Sequence, residues 1–399
     1  MLLEGLKVVE MATWVAGPGC AMIMAEWGAD VIKIESPAGD ATRLFFPDTL
    51  ESPGNPVFSM ENRGKRGVVL DTARAEGRAA LIEILKSADV FVTNVRPGAL
   101  ARARLDYASL KDALPSLVYA CVTGYGLQGA EADTPAFDLT GFWTRSGVAA
   151  STIPPDQEPF TCRPGFGDHF TAVATLSGVL AALRERDSTG HGQVVETSLL
   201  RAGYYAVSWD ASQQLRYGAA ATAQPRNDRP TAVSGYFRTA DDRWFCVIPR
   251  SLDCFTALAG AIERPELLTD ARFMPPIADL DVVRELRALL DEVFAGFTLA
   301  EIGERLTRAD LIWAPMASLA EVAADPQAHA AGCFISSRDR FGGEFPAPAS
   351  PVRFPSLPLA AHRPAPALGE HTGEVLAEAG CPDEAIAALI RSGAAFQAR

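Results

Sequence analysis

The first third of the chain alternates between short apolar segments and longer amphipathic ones, and this alternation constrains the fold more than any other feature. Helical spacing of apolar residues predicts helices at 19–27 and 76–86. Runs rich in valine and isoleucine predict strands at 8–9, 31–34, 90–92 and 118–122. Strands that alternate with helices in this way form a parallel, doubly wound α/β sheet of the Rossmann type.

Ligands of a doubly wound sheet bind beyond the carboxyl ends of its strands. Asn94 and Thr123 stand at such predicted strand ends, so we expect them near a ligand. The first strand is followed by residues 16–19, which would form the turn of a dinucleotide fingerprint. Pro18 lies in this turn, at a place where the fingerprint must admit pyrophosphate. The pattern therefore disfavours an NAD-dependent redox enzyme.

The composition is that of a protein with a large core. The chain has 399 residues, of which 48% are hydrophobic and 21% charged, and this length suggests two domains. The formal net charge of −13 argues against a general nucleic-acid-binding protein. The 7 cysteines are scattered without a C-x-x-C pair, so the sequence indicates neither a disulfide framework nor a zinc or other metal site.

The N-terminal residues lack the basic and long apolar regions of a secretory signal, and we expect a cytoplasmic protein. The most apolar helix, predicted over 170–183, is expected to be too short and too rich in small polar residues to span a bilayer. Neither a membrane nor a nucleic acid is therefore among the expected partners.

A segment rich in small residues and proline, 218–231, is typical of a linker. We assign residues 1–217 to a large α/β domain and residues 232–329 to a smaller α+β domain, which begins with a predicted hairpin and continues with three predicted helices. Residues 330–399 contain proline-rich loops followed by a helical pair.

Asp168 follows a glycine-rich turn, 165–167, and directly precedes the predicted apolar helix. Aspartate is a favoured N-cap, because its oxygen accepts a hydrogen bond from an early backbone N–H and the helix dipole holds it ionised. A partly desolvated carboxylate at the same place can instead attack a carbonyl, since the glycines allow a substrate to approach closely. The pattern alone does not separate these two interpretations.

Several further blocks follow one another along the chain. Together with Gly167-Asp168 and its apolar helix, they resemble the class III (CaiB/BaiF-type) CoA-transferases, the family of formyl-CoA, carnitine and bile-acid CoA-transferases. The resemblance extends over nearly the whole chain, and its strength lies in the order of the blocks rather than in any one of them. The blocks are 6–10 with 16–19, 28–35, 62–71, 94–100, 122–126, 188–196 and 368–372.

In that family the aspartate that matches Asp168 is the nucleophile. The resemblance implies transfer of CoA between an acyl-CoA thioester and a carboxylic acid, through an aspartyl anhydride and an aspartyl-CoA thioester. Coenzyme A and acyl-CoA are then substrates, and no cofactor is expected to be tightly bound. The resemblance also implies that residues 330–399 return to the large domain and that two ring-like chains interlock as a homodimer.

The resemblance places contacts with CoA in basic blocks and at predicted strand ends. Such a site needs cationic or amide donors for the phosphates and apolar walls for the pantetheine arm. Each residue also has a simpler interpretation, since an isolated arginine is usually a solvated surface group and Asn94 suits a turn before Pro97. The residues assigned to CoA are Val15, Arg43, Lys65, Arg66, Asn94, Val95, Arg96 and Arg102.

The same fold also houses α-methylacyl-CoA racemases, and racemisation is the alternative function. Those enzymes carry a histidine directly before the aspartate that matches Asp138, whereas this chain has Phe137 there. Without that base, transferase chemistry is favoured. His169 follows the candidate nucleophile, but the transfer abstracts no proton, and a histidine at a helix start is more typically a packing or capping residue.

Residues 137–147 differ from the glutamine-containing segment typical of formyl-CoA transferases and look closer to members that handle larger 2-hydroxy or aryl acids. The glycine-rich flap that covers the active aspartate in formyl-CoA transferases is also missing, since residues 231–236 stand in its place. We therefore expect a medium or bulky, aromatic or branched acyl group. The candidate substrate-binding residues are Trp14, Asp138, Phe142 and Trp143, and ordinary core packing is the alternative for the three aromatic ones.

Overall fold

The computed structural model describes residues 1–46, 55–228, 231–274, 277, 279–356 and 363–398. Within these residues the strands form a large sheet and two smaller ones. The strands are β1 (Lys7–Met11), β2 (Asp30–Glu35), β3 (Arg66–Leu70), β4 (Val90–Thr93), β5 (Val118–Thr123), β6 (Val194–Ser198), β7 (Gly235–Arg238), β8 (Trp244–Val247), β9 (Trp313–Pro315), β10 (Phe334–Arg338), β11 (Glu344–Pro348) and β12 (Ala395–Phe396).

Helices separate most of the strands. The α-helices are α1 (Ala16–Glu26), α2 (Pro56–Asn62), α3 (Ala75–Leu85), α4 (Pro97–Ala103), α5 (Tyr107–Leu110), α6 (Val148–Thr152), α7 (Phe166–Thr189), α8 (Leu199–Ala206), α9 (Ser208–Tyr217), α10 (Leu252–Ala261), α11 (Leu280–Phe294), α12 (Leu299–Arg308), α13 (Leu319–Ala324), α14 (Pro326–Ala331), α15 (Thr372–Glu378) and α16 (Asp383–Ser392). Short 3-10 helices lie at Ala41–Leu44, Arg226–Asp228, Pro265–Leu268 and Ala271–Phe273, and a π-helix lies at Leu139–Thr144.

The large sheet has the order β12-β3-β2-β1-β4-β5-β6 in the part of the chain that the structure describes. Strands β1 to β6 run parallel, and the short β12 pairs antiparallel with β3. The predicted strands and helices of the first third are all present, which confirms a mixed α/β fold around a large parallel sheet. The strand order reverses between β1 and β4, so the space beyond their carboxyl ends is the switch point at which such folds bind ligands.

Strands β1 to β5 are buried on both faces, and this explains why they are predominantly apolar. Successive side chains of β1 point to opposite faces. Val9 belongs to a core that also contains residues of α3 and α15, whereas Val8 belongs to a second core with α1 and α7. Helices on both faces thereby hold the carboxyl ends of the strands in fixed positions.

Helix α7 begins at Phe166 and ends at Thr189, so it is longer than the predicted segment 170–183. Its 24 residues span about 36 Å at the usual helical rise. The expectation that this helix is too short to cross a bilayer is therefore wrong, and among the described residues it is the helix that is long and apolar enough to do so. In this fold α7 packs against α1, β5 and β6, and Val179 is fully buried there.

By its internal contacts the chain divides into two units. The first comprises Met1–Ser151, Pro159–Ala220 and Ala330–Arg399, and the second comprises Thr152–Glu158 and Ala221–His329. The first unit holds the large sheet and the β10–β11 pair. The second holds the antiparallel sheet β7-β8-β9 and helices α10 to α12, as the predicted hairpin and helices required. Residues 229–230 of the predicted linker lie outside the described residues.

Candidate active site

A cavity of about 300 Å³ opens at the switch point of the large sheet. Trp14, Asn94 and Thr123, which stand at or just after the ends of β1, β4 and β5, contribute to its lining. Asp168 reaches the same cavity from the first turn of α7. The structure thus brings the two strand-end residues singled out in the sequence, Asn94 and Thr123, together with the candidate nucleophile.

Asp168 is not the cap of its helix. The N-cap of α7 is Gly165, whose φ of +84° lies in the left-handed region that glycine adopts at little cost. Both carboxylate oxygens of Asp138 lie 3.2 Å from the backbone nitrogen of Gly167 and accept its N–H. The N-cap interpretation of Asp168 is therefore wrong, and among the described residues its carboxylate has no hydrogen-bond partner.

Gly167 brings α7 into close contact with the segment that contains Asp138. A Cβ atom on Gly167 would lie 2.2 Å from Cγ of Phe142 and 2.6 Å from Oδ1 of Asp138, which is too close for any side chain. Phe142 is buried and also packs edge-on against Phe166. Packing therefore requires glycine at position 167, and Phe142 packs against the first turn of α7.

The surroundings of Asp168 resist its ionisation. Burial raises the pKa of Asp168 to about 7, and the carboxylates of Asp138 and Glu61 add to the rise, whereas His169 acts in the opposite direction. Burial also raises the pKa of Asp138, against the hydrogen bond from Gly167. At neutral pH the Asp168 carboxyl group is therefore close to its midpoint of ionisation, which is the kind of perturbation that marks reactive groups.

Glu61 is a site residue that sequence reasoning missed. Helix α2 carries it into the interior, where its Oε1 lies 2.9 Å from Nε2 of His169. The two residues are 108 positions apart, so no local pattern indicates the contact. The side chain of His169 is 49% exposed and pairs with a carboxylate, so it is neither a cap nor an ordinary core residue.

Three of the residues assigned to CoA, namely Asn94, Val95 and Arg96, line the cavity. Nδ2 of Asn94 donates to the carbonyl of Thr13 at 2.7 Å, and its Oδ1 accepts the N–H of Thr13 at 3.0 Å. The amide therefore joins the loops that follow β1 and β4. Arg96 is exposed and has no ion-pair partner among the described residues, so its guanidinium is available to an anion.

Val15 and Arg102 lie outside the lining of this cavity. Val15 is the residue before α1, and its Cγ1 lies 3.9 Å from the point that a Cβ on Gly165 would occupy, so it borders the turn before Asp168. Arg102 lies in the last turn of α4, where it is exposed and, within the described ranges, has no ion-pair partner.

Lys65 is fully buried and is not brought to the cavity. Its Nζ donates to Oε2 of Glu10 at 2.6 Å, to the carbonyl of Pro18 at 2.9 Å and to Oδ1 of Asn62 at 3.0 Å. An ammonium group has three donors, so these partners leave none for a phosphate. In this structure Lys65 neutralises the charge of the buried Glu10 carboxylate. The basic sequence block around Lys65 does not indicate this role.

Arg43 and Arg66 are likewise occupied by acidic partners. Arg43 forms hydrogen bonds of 2.8 and 2.6 Å with Glu35, and it lines a separate cavity of about 210 Å³. Arg66 is bound by Asp30 and by Glu378, each through two hydrogen bonds. The structure therefore does not bring these two arginines to the cavity of Asp168.

The four candidate substrate-binding residues separate into two groups. Trp14 lines the cavity and makes an edge contact with Phe137, which also lines it. Asp138, Phe142 and Trp143 are buried and do not line the cavity. Phe142 and Trp143 belong to the π-helix, and Asp138 directly precedes it. Phe137, which the sequence analysis noted only for the missing histidine, is therefore the second aromatic wall.

The geometry around Asp168 is suited to covalent catalysis. An unbonded, partly desolvated carboxylate faces a cavity with aromatic walls and an exposed arginine, at the ligand-binding edge of a parallel sheet. Such a group suits covalent catalysis on an acyl substrate that carries an anionic portion.

Comparison with known families defines the class more closely. The family model described as CoA-transferase family III matches residues 3–372. The chain belongs to this family and is a class III CoA-transferase, as the order of its sequence blocks predicted. Enzymes of this class use CoA thioesters as substrates.

Several relatives match over nearly the whole chain. The (R)-2-hydroxy-4-methylpentanoate CoA-transferase of Clostridioides difficile is 34% identical and is aligned over 97% of this chain and 97% of its own length. The cinnamoyl-CoA:phenyllactate CoA-transferase of Clostridium sporogenes is 31% identical, with 97% and 96% covered. The crystal structure of a CAIB/BAIF family protein from Brucella suis has a TM-score of 0.83 at 31% identity, and the match covers 94% of this chain and 99% of that one.

Proposed function

We propose that Asp168 is the nucleophile through which this enzyme moves CoA from an acyl-CoA thioester to a free carboxylic acid. The observation that carries the proposal is a carboxylate in the switch-point cavity that has no hydrogen-bond partner among the described residues. Burial has removed part of the water that would stabilise its charge, and a less solvated carboxylate is a better nucleophile toward a carbonyl carbon.

The proposed reaction consists of four acyl substitutions. An oxygen of Asp168 attacks the thioester carbonyl and expels CoA thiolate, which leaves a mixed anhydride. The thiolate then attacks the aspartyl carbonyl and expels the first carboxylate, which gives an aspartyl-CoA thioester. The incoming carboxylate attacks that thioester and expels the thiolate, and the thiolate finally attacks the acyl carbon of the new anhydride. Each step exchanges one nucleophile for another, so Asp168 returns ionised and no proton is abstracted.

The phosphates of CoA need cationic donors, and we propose Arg96 and Arg102 for this role. Both are exposed, and neither has an ion-pair partner among the described residues. A guanidinium group can bind two phosphate oxygens at once. Arg96 directly precedes α4 and Arg102 lies in its last turn, so the two side chains together suit a diphosphate. Val15, Asn94 and Val95 then border the pantetheine arm.

We infer that the acyl group is bulky and either branched or aromatic. Trp14 and Phe137 form an aromatic wall beside Asp168, and an exposed apolar wall of this kind gains free energy by covering hydrocarbon. The names of two relatives mention 2-hydroxy-4-methylpentanoate and phenyllactate, which are branched and aryl 2-hydroxy acids. A panel of acyl-CoA donors and acceptor acids tests this inference. We expect the highest kcat/KM with branched or aryl 2-hydroxy acids, and a preference for formyl-CoA and oxalate would contradict it.

The nucleophile is tested by trapping. Wild-type protein is incubated with an acyl-CoA panel and hydroxylamine, whose nitrogen attacks the aspartyl thioester and displaces CoA thiolate. We expect mass spectrometry to find a hydroxamate at Asp168 in the wild type and none in Asp168→Asn. Asp187→Asn, which alters an exposed carboxylate at the other end of α7, is the matched control and should be trapped like the wild type. Trapping at another residue would refute the assignment.

Racemisation is the second candidate, because the fold also accommodates that chemistry. The side chain beside Asp168 at the predicted base position is the phenyl ring of Phe137, which accepts no proton. We therefore expect no exchange of the α-proton of a 2-methylacyl-CoA for deuterium in D2O. Rapid exchange without hydroxamate formation would move the assignment to a racemase.

We also infer that two copies assemble as the interlocked homodimer that the sequence resemblance implies. Helices α8 and α9 expose several large apolar side chains, and Trp209 is 83% exposed. Exposed aromatic surface of this extent marks an association site more often than free surface. Substitution of Trp209 by a charged residue tests the inference.

A further inference from the structure

Glu61 is a buried carboxylate that the proposed reaction does not use. It is 2% exposed, and its Oε2 has no hydrogen-bond partner among the described residues. Taking a charged oxygen out of water without compensation costs free energy. Placing Glu61 here therefore costs free energy, and the contact of its Oε1 with His169, at 2.9 Å, is a hydrogen bond that offsets part of this cost.

The helices around Glu61 are shaped to admit it. A Cβ atom on Gly19 would lie 2.9 Å from Oε2 of Glu61 and 3.3 Å from Cβ of Ala172, so a larger residue in α1 would displace either the carboxylate or α7. The charge of Lys65 also acts on Glu61 from the next turn of the chain. Packing from α1, α2 and α7 thus fixes the carboxylate next to the start of α7.

His169 contacts this carboxylate and directly follows the candidate nucleophile in the chain. The hydrogen bond with Glu61 raises the pKa of His169, and the backbone of Gly165 and the charge of Asp168 act in the same direction, against burial. An imidazole whose surroundings are acceptors and carboxylates favours its protonated form. The ring is therefore suited to carry a positive charge one residue away from Asp168.

We propose that Glu61 and His169 form a positioning pair, in which Glu61 retains a proton on His169 and the resulting imidazolium favours the ionised, attacking form of Asp168. This inference rests on the proposed function of Asp168. The groups that act on Asp168 are Asp138, from the segment behind α7, Glu61, from α2, and His169 itself. Two of them oppose ionisation, and His169 is the one that favours it. The thiol of Cys162 also faces Asp138 and Asp168.

The summed charge of the side chains at positions 61 and 169 predicts how the variants differ in activity. In the wild type the carboxylate and imidazolium sum to zero. His169→Gln removes the cation and leaves the Glu61 anion beside Asp168. Glu61→Gln removes the anion and also the partner that retains the proton, so the two side chains again carry close to no charge at neutral pH. The double variant carries none, so it should be less impaired than His169→Gln alone.

The experiment measures the rate of hydroxamate formation at residue 168 against pH in the wild type, both single variants and the double variant. The wild-type rate should fall on the acid side as Asp168 becomes protonated. In His169→Gln this fall should move upward by about one pH unit, because an opposing charge is lost and a like charge remains. In Glu61→Gln/His169→Gln it should return toward the wild-type position. The proposal would be refuted if the four proteins had the same dependence of rate on pH. It would also be refuted if the acid-side fall of the double variant were shifted as far as that of His169→Gln.

A second measurement covers the case in which His169→Gln, with its unpaired buried carboxylate, fails to fold. The protonation midpoint of His169 is read by mass spectrometry from deuterium exchange at its imidazole C2, in the wild type and in Glu61→Gln. Circular dichroism checks that both are folded. We expect the midpoint to fall in Glu61→Gln, and an unchanged midpoint would refute the pair. Absence of hydroxamate in the wild type at every pH would instead refute the proposed function, so the two failures are distinguishable.

Discussion

Among the single residues of the site, Asp168 is in an environment that lowers the stability of the fold and suits a reactive group. Asp168 is held by a fold that raises its pKa to about 7 through burial, with Asp138 close by, and among the described residues nothing donates a hydrogen bond to it. A structural carboxylate at a helix start has the opposite properties, since caps and dipoles lower its pKa. Asp138 takes over the structural role, which leaves Asp168 free for chemistry.

This arrangement predicts how stability depends on pH. The folded protein retains the Asp168 proton up to about pH 7, whereas the unfolded chain releases it near pH 4. The folded state therefore loses stability as the pH rises through this window, and the loss is complete above it. Asp168→Asn removes the loss, so we expect it to exceed the wild type by on the order of 2 kcal/mol at pH 8 and by less as the pH falls toward 4.

Urea unfolding at several pH values measures this difference. Asp187→Asn, on the exposed end of the same helix, is the control and should differ little from the wild type throughout. A difference between Asp168→Asn and the wild type that does not vary with pH would show that the raised pKa is not its cause.

At the scale of elements, the start of α7 depends on one glycine. Gly167 lets the helix rest on Phe142 and lets Asp138 reach its backbone. We expect Gly167→Ala to abolish CoA transfer and to destabilise the protein by about 1–3 kcal/mol, because the added methyl group overpacks this contact. Thermal unfolding and the transferase assay measure the two effects.

Gly260 provides the matched control for that change. It also lies in a helix, α10, but a Cβ atom there would meet nothing within 4 Å. Gly260→Ala should leave activity unchanged and should be neutral or stabilising by up to about 1 kcal/mol, since alanine is the better helix former. Equal effects of the two substitutions would contradict the packing argument.

The elements also show where sequence reasoning succeeds. The alternation of strands and helices predicted β1, β2, β4 and β5, and with them the edge at which Asn94 and Thr123 lie. Local patterns are enough here, because a strand buried on both faces is predominantly apolar. The sequence predicts the helix from 170, whereas it begins at Phe166, because Gly165 and Gly167 are typical of a turn and the distant Asp138 that binds the backbone there is not visible in the local pattern.

The charged contacts of the site were beyond such reasoning. Glu61 and His169 are 108 residues apart, and Asp138 and Gly167 are 29 apart. Lys65 and Arg66 resemble ligands of a phosphate in sequence, yet both are paired with carboxylates of the same chain, buried for Lys65 and partly exposed for Arg66. In sequence, a basic residue that binds phosphate looks the same as one that pairs with a carboxylate of its own chain. The two roles are distinguished only by the residues that contact it in the folded protein.

At the scale of the whole molecule, the exposed faces of α8 and α9 bear on assembly. Trp209→Glu places a charge on this face without disturbing a buried contact. If the proposed homodimer covers it, light scattering should show a shift from dimer toward monomer at a given protein concentration, because an uncompensated charge in an apolar interface is costly. Leu319→Glu, at a side chain that is 90% exposed elsewhere, is the control. A monomeric wild type would contradict the proposal directly.

The amide of Asn94 has a consequence for how the enzyme responds to its two substrate halves. It holds both the N–H and the carbonyl of Thr13, so the loop that carries Trp14 and the loop that carries Arg96 are clasped to each other. Under the proposed roles of Arg96 and Trp14, these bonds connect the loop that binds the nucleotide to the loop that contacts the acyl group. We therefore expect Asn94→Ala, which removes both hydrogen bonds, to raise KM for acyl-CoA and to lower selectivity among acyl groups together. Loss of one property without the other, in steady-state kinetics with an acyl-CoA panel, would contradict this coupling.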